Sequence, residues 1–204
     1  MGYNNLIKNI YFEDLVHHFS SLPGVGKKSA KIMANYIVNL DKEKATQFSK
    51  AIINAKDYLR FCDKCFNLTD SKLCSICSDQ SRDSSIVMVV ETYKDIQIIE
   101  SATFFDGVFH VLGGLLNPLE GVTISKLKID QLISRVNNED IEEVIVALPS
   151  SLEGDSTALY ISESLKPFNI NVTRPVRGIP IGSDIEHTDE ITLREAFAKR
   201  DNFE

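Results

Sequence analysis

All four cysteines of this 204-residue chain lie in one short stretch, as two Cys-x-x-Cys pairs with eight residues between the pairs. Two such pairs can bring four thiolates to one point, the tetrahedral arrangement that a structural Zn²⁺ requires. Two disulfides, an iron site or four unligated thiols are the alternatives. With four sulfur ligands and no position open to water, the metal would be structural and would stabilise a segment too short to build its own core. We therefore predict one zinc ion held by Cys62, Cys65, Cys74 and Cys77.

The surroundings of these cysteines should match their charge and their redox state. Four thiolates on Zn²⁺ leave a local charge of about −2, so backbone N–H groups and the cations of Lys64, Lys72 or Arg82 are expected beside them. The segment Met1–Ile10 is short, mixed in polarity and without an apolar run, unlike a secretory signal. We therefore expect a cytoplasmic chain, in which thiols stay reduced and disulfides do not form.

The composition, with 43% hydrophobic and 25% charged residues, is that of an ordinary globular protein, and no apolar run approaches the ~20 residues of a membrane span. The net charge of −7 is unevenly distributed. Residues 1–60 carry nine Lys/Arg and five Asp/Glu, a charge of +4, whereas residues 61–204 carry thirteen and twenty-four, a charge of −11. Contact with an anionic polymer should therefore be local and should come from the N-terminal third.

Apolar residues at helical spacing predict helices over residues 5–20, 27–40 and 43–60. Between the first two helices, Leu22-Pro23-Gly24-Val25-Gly26 predicts a tight turn, because glycine can adopt positive φ and lets the backbone approach a partner closely. The second helix then begins with free N–H groups that can bind a phosphate oxygen, with Lys27, Lys28 and Lys31 beside them. This is the physics of a helix-hairpin-helix element that grips DNA phosphates without reading bases; a plain helical connection with solvated lysines is the alternative.

From Ser85 the pattern changes to alternating strands and helices, which predicts a mostly parallel α/β sheet. The β-branched run Ile86–Val90 is typical of a strand buried on both faces. Further strands are predicted over 107–112, 144–148 and near 171–173. Helices are predicted over 129–137, 156–165 and 190–200.

Three acidic residues follow two of these strands. Glu91 ends the first strand, and Glu153 and Asp155 follow the strand at 144–148 after a loop. Ligands gather at the carboxyl ends of strands in open α/β sheets, so the three carboxylates could converge and hold Mg²⁺. Solvated loop acids are the alternative. His110 also lies near a strand end, where a buried core histidine is expected rather than a catalytic one.

Taken in order, these blocks resemble the bacterial recombination mediator family RecR over nearly the whole chain. The blocks that carry the resemblance are the turn at 22–30, the four-cysteine finger with Asn67-Leu68-Thr69-Asp70 inside it, and the segments 90–95, 110–118, 153–160, 177–184 and 189–193. Each block alone is modest, but their order is specific. The resemblance implies an α/β fold (α+β overall), with a helix-hairpin-helix region at 1–60, a four-cysteine zinc finger at 61–78, a Toprim domain at 84–180 and a C-terminal segment with a helix at 181–204.

The resemblance also implies a function without catalysis. It implies a homo-oligomer, a ring-shaped tetramer that encircles gapped or double-stranded DNA and works with RecO and RecF to load RecA on gapped or SSB-coated strands. DNA contacts are then expected at Gly24, Gly26, Lys27, Lys28 and Lys31. Glu91, Glu153 and Asp155 become a Mg²⁺ site or a surface facing RecO. The rival hypothesis is a small Mg²⁺-dependent Toprim nuclease or primase-like enzyme that uses these carboxylates for phosphoryl chemistry.

Overall fold

The computed structural model describes residues 9–180 and 182–200. The chain divides into two units, Met1–Leu59 and Arg60–Glu204. Leu6 and Ile7 of the predicted first helix, and residues 181 and 201–204 of the predicted C-terminal segment, lie outside the described residues. Among the described helices, none has the length and apolar character that a membrane span requires.

The first unit contains three described helices: α1 (Ile10–Ser20), α2 (Lys27–Asn39) and α3 (Lys42–Tyr58). The side chains of Asn9 and Asp41 cap α1 and α3 by accepting backbone N–H bonds. The small core contains Val16, Ala30 and Ala34, and the two alanines of α2 let α1 pack closely. Helix α3 has no buried residue in the described part of the chain.

The second unit is built on a four-stranded parallel sheet, as predicted. Its strands are β3 (Asp83–Val90), β4 (Gly107–Val111), β5 (Glu143–Ala147) and β6 (Asn171–Thr173), in the spatial order β4-β3-β5-β6. Central β3 pairs with both β4 and β5, and all five residues of β4 are buried. The helices are α5 (Tyr93–Ser101), α6 (Ile129–Asn138), α7 (Leu152–Leu165) and α8 (Glu190–Ala198).

The four-cysteine segment belongs to this second unit. It forms two short antiparallel strands, β1 (Arg60–Phe61) and β2 (Leu68–Thr69), and one helical turn, α4 (Ser75–Ser78). Three of its cysteines are part of the same buried cluster as the sheet, and the amide of Val111 in β4 donates to the carbonyl of Cys65 at 2.9 Å. The finger is therefore attached to the sheet by both packing and backbone hydrogen bonding.

Candidate functional site

The four cysteine sulfurs meet at one point. All four Sγ atoms lie within 4.8 Å of one another, and the Sγ atoms of Cys65 and Cys74 are 3.5 Å apart. A tetrahedral Zn²⁺ with Zn–S bonds of about 2.3 Å places its sulfurs about 3.8 Å apart, whereas a disulfide needs about 2.05 Å. The cysteines are free, with Cys77 half-buried and the others buried. The donor set and spacing thus fit structural zinc, as predicted.

Backbone hydrogen bonds and one left-handed residue fix the positions of the cysteines in the finger. The amide of Cys74 donates to the sulfur of Cys62 at 3.4 Å, and the amide of Cys62 donates to the carbonyl of Asn67 at 2.8 Å. Phe66 reverses the chain with a φ of 63°, in the left-handed region. The hydrogen bond with Cys65 lowers the pKa of Cys74, whereas hydrogen bonds with Cys74 and Cys77, together with burial, raise the pKa of Cys65. One thiol of the cluster thus favours the thiolate form and another favours the protonated form.

Two of the cations expected beside the thiolates neutralise carboxylates instead. The Lys64 ammonium lies 3.0 Å from Glu139, and the Arg82 guanidinium bonds to Glu100 and to the carbonyls of Phe105 and Gly107. In the described part of the chain, neither of these two side chains hydrogen-bonds to a cysteine sulfur, and the expectation for Lys72 stays a prediction. These two ion pairs connect the finger and its following strand to the sheet layer.

The turn between α1 and α2 is a type II β-turn. The amide of Val25 donates to the carbonyl of Leu22 at 3.1 Å, Pro23 occupies the second position, and Gly24 occupies the third with a φ of 78°. A type II turn needs positive φ at its third position, which explains Gly24. Gly26 is the N-cap residue just before α2, with extended backbone and no side chain to cap the helix.

The amino end of α2 therefore presents donors and positive charge together. The amide of Ala30 donates to the carbonyl of Gly26 at 2.9 Å and so closes the first turn of the helix. No side-chain cap and no acidic residue satisfies the amides of this first turn. Lys27, Lys28 and Lys31 are exposed, and within the described part of the chain none of them forms an ion pair. This arrangement can bind a phosphate group.

Glu91 lies at the carboxyl end of β3, as expected. Its side chain is half-buried, and burial raises its pKa, with a smaller contribution from the charge of Asp95. Asp95 accepts hydrogen bonds from the amide and hydroxyl of Thr92, at 2.7 and 3.1 Å, and so caps α5. The spacing Thr-x-x-Asp is a capping-box signal that could have identified Asp95 from the sequence.

Glu153 and Asp155 lie on a helix, not in the loop that the sequence pattern predicts for them. Helix α7 begins at Leu152, four residues before the predicted start, because the hydroxyl of Ser151 accepts the amide of Gly154 at 3.1 Å. A side chain on Gly154 would lie 2.0 Å from the carbonyl oxygen of Pro149, so only glycine fits this turn. Both carboxylates therefore lie in the first turn of α7.

The three acidic residues do not form a metal cluster. Among the described residues, the only group of three or more His, Cys, Asp and Glu side chains with converging ligand atoms is the four cysteines. Asp155 bonds instead to both terminal nitrogens of Arg177, one at 3.0 Å, with Arg174 at 3.8 Å. The Arg177 guanidinium lowers the pKa of Asp155. The expected convergence of Glu91, Glu153 and Asp155 on Mg²⁺ is not what the side chains show.

His110 is a core residue, as predicted. It is fully buried in β4, its Nε2 is 2.8 Å from the carbonyl oxygen of Lys128, and its ring packs edge-on against Phe66. Burial lowers its pKa to about 4, so the ring is neutral at pH 7. A buried neutral ring stabilises the contact between β4 and the finger and leaves no role in catalysis at the surface.

Comparison with known proteins matches each of these parts to a described domain. The family models that match are a Toprim domain over residues 85–175, the RecR helix-hairpin-helix over 12–56, the RecR four-cysteine zinc finger domain over 59–79 and the RecR C-terminal region over 178–200. The matched boundaries agree with the turn, the cysteine cluster and the parallel sheet described above.

Curated relatives align over almost the whole chain. "Recombination protein RecR" of Carboxydothermus hydrogenoformans is 42% identical over 91% of this chain and 94% of its own length. The proteins of the same name from Paenarthrobacter aurescens and Clostridium perfringens are 42% and 40% identical, over 93% and 94% of this chain and 96% of their own length. With the same four parts in the same order, this chain belongs to the RecR family of recombination proteins.

Proposed function

We propose that this chain is a DNA-binding mediator of recombinational repair without catalytic activity of its own. It assembles in the cytoplasm into a homotetrameric clamp on gapped or double-stranded DNA. There it acts with RecO and RecF to load RecA on gapped or SSB-coated strands. Membership of the RecR family supports the recombination role. The clamp, the named partners and the DNA contacts are our proposals.

One observation carries the DNA-binding part of the proposal: the uncapped amino end of α2. Gly24 and Gly26 leave its amides accessible, and Lys27, Lys28 and Lys31 add three positive charges in the same place. Among the described residues, and apart from the chain neighbours of each glycine, no atom lies within 4 Å of the position that a Cβ of Gly24 or Gly26 would take, so a phosphate can approach the backbone there. Amides and lysines bind phosphate without reading base sequence, which suits a protein that acts at any gap.

A clamp explains how an acidic chain can hold DNA. Residues 1–60 carry a charge of +4, whereas residues 61–204 carry −11. One such cationic patch binds weakly, but several patches on one assembly act together, since each bound patch raises the local concentration of the next. Binding should therefore depend on assembly and should weaken steeply with salt.

Helix α3 supports self-assembly. Its side chains of Phe48, Ile52 and Ile53 are all about half exposed or more, at 47%, 59% and 56%, and no residue of α3 is buried within the described part of the chain. Water contact with a row of large apolar side chains costs free energy that burial against a second copy would recover. We propose that α3 is buried between copies in the tetramer.

The acidic edge of the Toprim sheet suits a protein partner better than DNA. Glu91 and Glu153 are half-buried carboxylates at this edge, and burial holds the pKa of Glu91 above its usual value. DNA phosphates are repelled by such a surface, whereas a basic protein face is attracted. We propose that Glu91 and Glu153 face RecO.

The proposal is tested by replacing Lys27, Lys28 and Lys31 together with alanine and measuring the binding of a gapped duplex by fluorescence anisotropy. The matched control removes the same charge from three exposed lysines of the second unit, none of which lies on α2 or α3: Lys94, Lys126 and Lys166. We expect the first variant to lose affinity and to reduce the slope of log K against log salt by about 0.9 for each lost phosphate contact. The control should lose much less.

Two outcomes would contradict the proposal. Equal affinities and salt slopes for both triple variants would show that the amino end of α2 is not the DNA-binding site. Metal-dependent cleavage of the gapped duplex, with turnover abolished by Glu91→Gln, would favour the Toprim nuclease instead.

A further inference from the structure

Asp155, the third of the acidic residues at the Toprim edge, is paired with arginine side chains. The C-terminal arm, residues 174–180 and 182–200, starts directly after β6. From this arm, Arg177 reaches back to α7 and bonds to both carboxylate oxygens of Asp155 through its two terminal nitrogens. Arg174 adds a second guanidinium 3.8 Å from the same carboxylate.

The geometry at Asp155 matches a guanidinium. The two parallel hydrogen bonds use both oxygens of the carboxylate and both terminal nitrogens of a planar fork, which is the strongest and most specific way that a carboxylate binds a cation in proteins. The backbone is fixed as well, because the amide of Asp155 donates to the carbonyl of Ser151 at 2.8 Å. A Cβ at Gly154 would lie 2.0 Å from the carbonyl oxygen of Pro149, so only glycine fits beside this turn.

The same carboxylate is a poor start for a divalent-cation site. Mg²⁺ requires an octahedron of oxygen ligands, and in the described residues no other pair of acidic side chains converges with Asp155. Arg177 already hydrogen-bonds both oxygens of this carboxylate, and its positive charge, with that of Arg174, opposes the binding of a second cation there. Magnesium therefore does not fit the side chains present at this edge.

The surrounding groove favours a positively charged ligand with an apolar stem. A cavity of about 870 Å³ lies between the sheet edge and the arm. Four carboxylates, those of Asp95, Asp155, Asp189 and Glu195, line it against the two guanidinium groups of Arg174 and Arg177. Apolar side chains, including Ile99 and Val176, line the rest of the wall and could cover the methylene stem of an arginine.

We propose that the Toprim edge of this chain is a guanidinium-binding site centred on Asp155, occupied from within the chain by Arg177, and not a divalent-cation site. The site holds the C-terminal arm against the sheet, and it takes the arginine side chain of a basic partner when Arg177 leaves. This contact involves only the second unit and no DNA, so it stands or falls independently of the proposed DNA-binding role.

Chemical rescue tests the proposal on the full zinc-loaded chain. Arg177→Ala vacates the site, and hydrogen exchange of the peptides that cover residues 174–200 reports how well the arm is held. We expect this variant to raise the exchange rate of the arm about tenfold. Guanidinium ion at low millimolar concentration should restore the wild-type rate, whereas Mg²⁺ or Mn²⁺ at matched ionic strength should not.

Three further variants keep the result interpretable. Arg194→Ala removes the same charge from an exposed pair with Glu190 on α8 and should leave the exchange rate unchanged. Asp155→Asn should loosen the arm without any response to guanidinium, because the site itself is gone. If Arg177→Ala does not fold, Arg177→Lys keeps the charge but not the fork, and guanidinium should slow its exchange in the same way.

The proposal is overturned by any of three results. These are wild-type exchange of the arm in Arg177→Ala and Arg177→Lys, rescue by Mg²⁺ or Mn²⁺ that equals or exceeds rescue by guanidinium, and one Mn²⁺ bound by the wild-type chain and lost in Asp155→Asn.

Discussion

At the scale of single residues, the cysteines and one buried histidine decide the stability of the second unit. The cysteine sulfurs belong to the buried cluster of the sheet, so the zinc ion contributes to the core and not to a separate module. Loss of a ligand should therefore disturb more than the finger. The amide of Val111 in β4 donates a hydrogen bond to the carbonyl of Cys65. A shift of this cysteine would therefore strain or break a contact with the sheet.

Replacing Cys74 with serine should unfold or aggregate the chain. The free energy of metal binding is part of the free energy of folding at a site of this kind, and Cys74 is both a ligand and the N-cap residue of α4. We expect less than one zinc per chain by elemental analysis and loss of the cooperative melting transition. Ser71→Ala, at an exposed position of the same finger, is the control. A normal melting curve without zinc would contradict the structural role of the metal.

His110 should make the chain less stable as the pH falls from 6.5 towards 4. Its pKa is lowered to about 4 in the folded chain from 6.5 in the unfolded chain, so the unfolded state binds more protons in this window. At 1.36 kcal/mol per pH unit, stability should fall by roughly 2 kcal/mol between pH 6.5 and 4.5.

Urea unfolding at several pH values measures this loss. Zinc binding also weakens in acid, so the wild-type chain is compared with His110→Gln, which loads the same metal but has no titrating ring. The difference between the two pH slopes reports His110. Identical pH slopes of the unfolding free energy in the two chains would show that the pKa of His110 is the same in the folded and unfolded states.

At the scale of elements, the turn between α1 and α2 depends on the backbone conformation of one glycine. Gly24→Ala forces a side chain into the left-handed region, at a φ of 78°, which costs about 1–2 kcal/mol. Because the first unit has a core of only three buried residues in its described part, this cost should loosen both helices. We expect faster hydrogen exchange of α1 and α2 and weaker DNA binding.

Gly26→Ala is the matched control for the hydrogen-exchange effect at this turn, since Gly26 is itself an expected DNA contact. Gly26 has an ordinary φ of −78° and open space around its Cβ position, so alanine should cost less than about 1 kcal/mol there. Equal effects of the two alanines would show that backbone conformation at Gly24 is not what the turn requires.

The order and type of most long elements could be predicted from the sequence because their apolar patterns are strong, but α5 (Tyr93–Ser101), between the first two strands of the sheet, is missing from the prediction. The β-branched run at 86–90 and the helical spacing at 129–137 correspond to β3 and α6. The start of α7 lies four residues before the predicted one, because the cap at Ser151 carries no apolar pattern and follows the turn signal of Pro149. The short β1, β2 and α4 have no periodic pattern, because the metal knuckle and not side-chain propensity determines them.

The two candidate sites also differ in how far the sequence alone predicts them. The cysteine cluster could be predicted because Cys-x-x-Cys spacing alone restricts its geometry. The acidic edge could not, since the pairing of Asp155 with Arg177 joins residues twenty-two positions apart and depends on the path of the arm after β6. The carboxylate partners of Lys64 and Arg82 could not be predicted either, because Glu139 and Glu100 are distant from them in the sequence.

At the scale of the whole molecule, charge and assembly must act together. We propose that this chain, with a net charge of −7, binds DNA through a small cationic patch because several copies of that patch engage one duplex together. The exposed apolar side chains of α3 supply a physical reason for such copies to associate. Disrupting assembly should therefore also weaken DNA binding, although the lysines lie on α2 and not on α3.

The mass of the particle in solution, with and without a gapped duplex, tests this account most directly. Light scattering should give an assembly larger than a dimer, about four times the 22.9 kDa of one chain, which binds one duplex without dissociating. The Lys27, Lys28 and Lys31 triple alanine variant should keep this mass and lose the DNA. A particle that has the mass of one chain at high protein concentration, and that still binds the gapped duplex tightly, would contradict the proposed clamp.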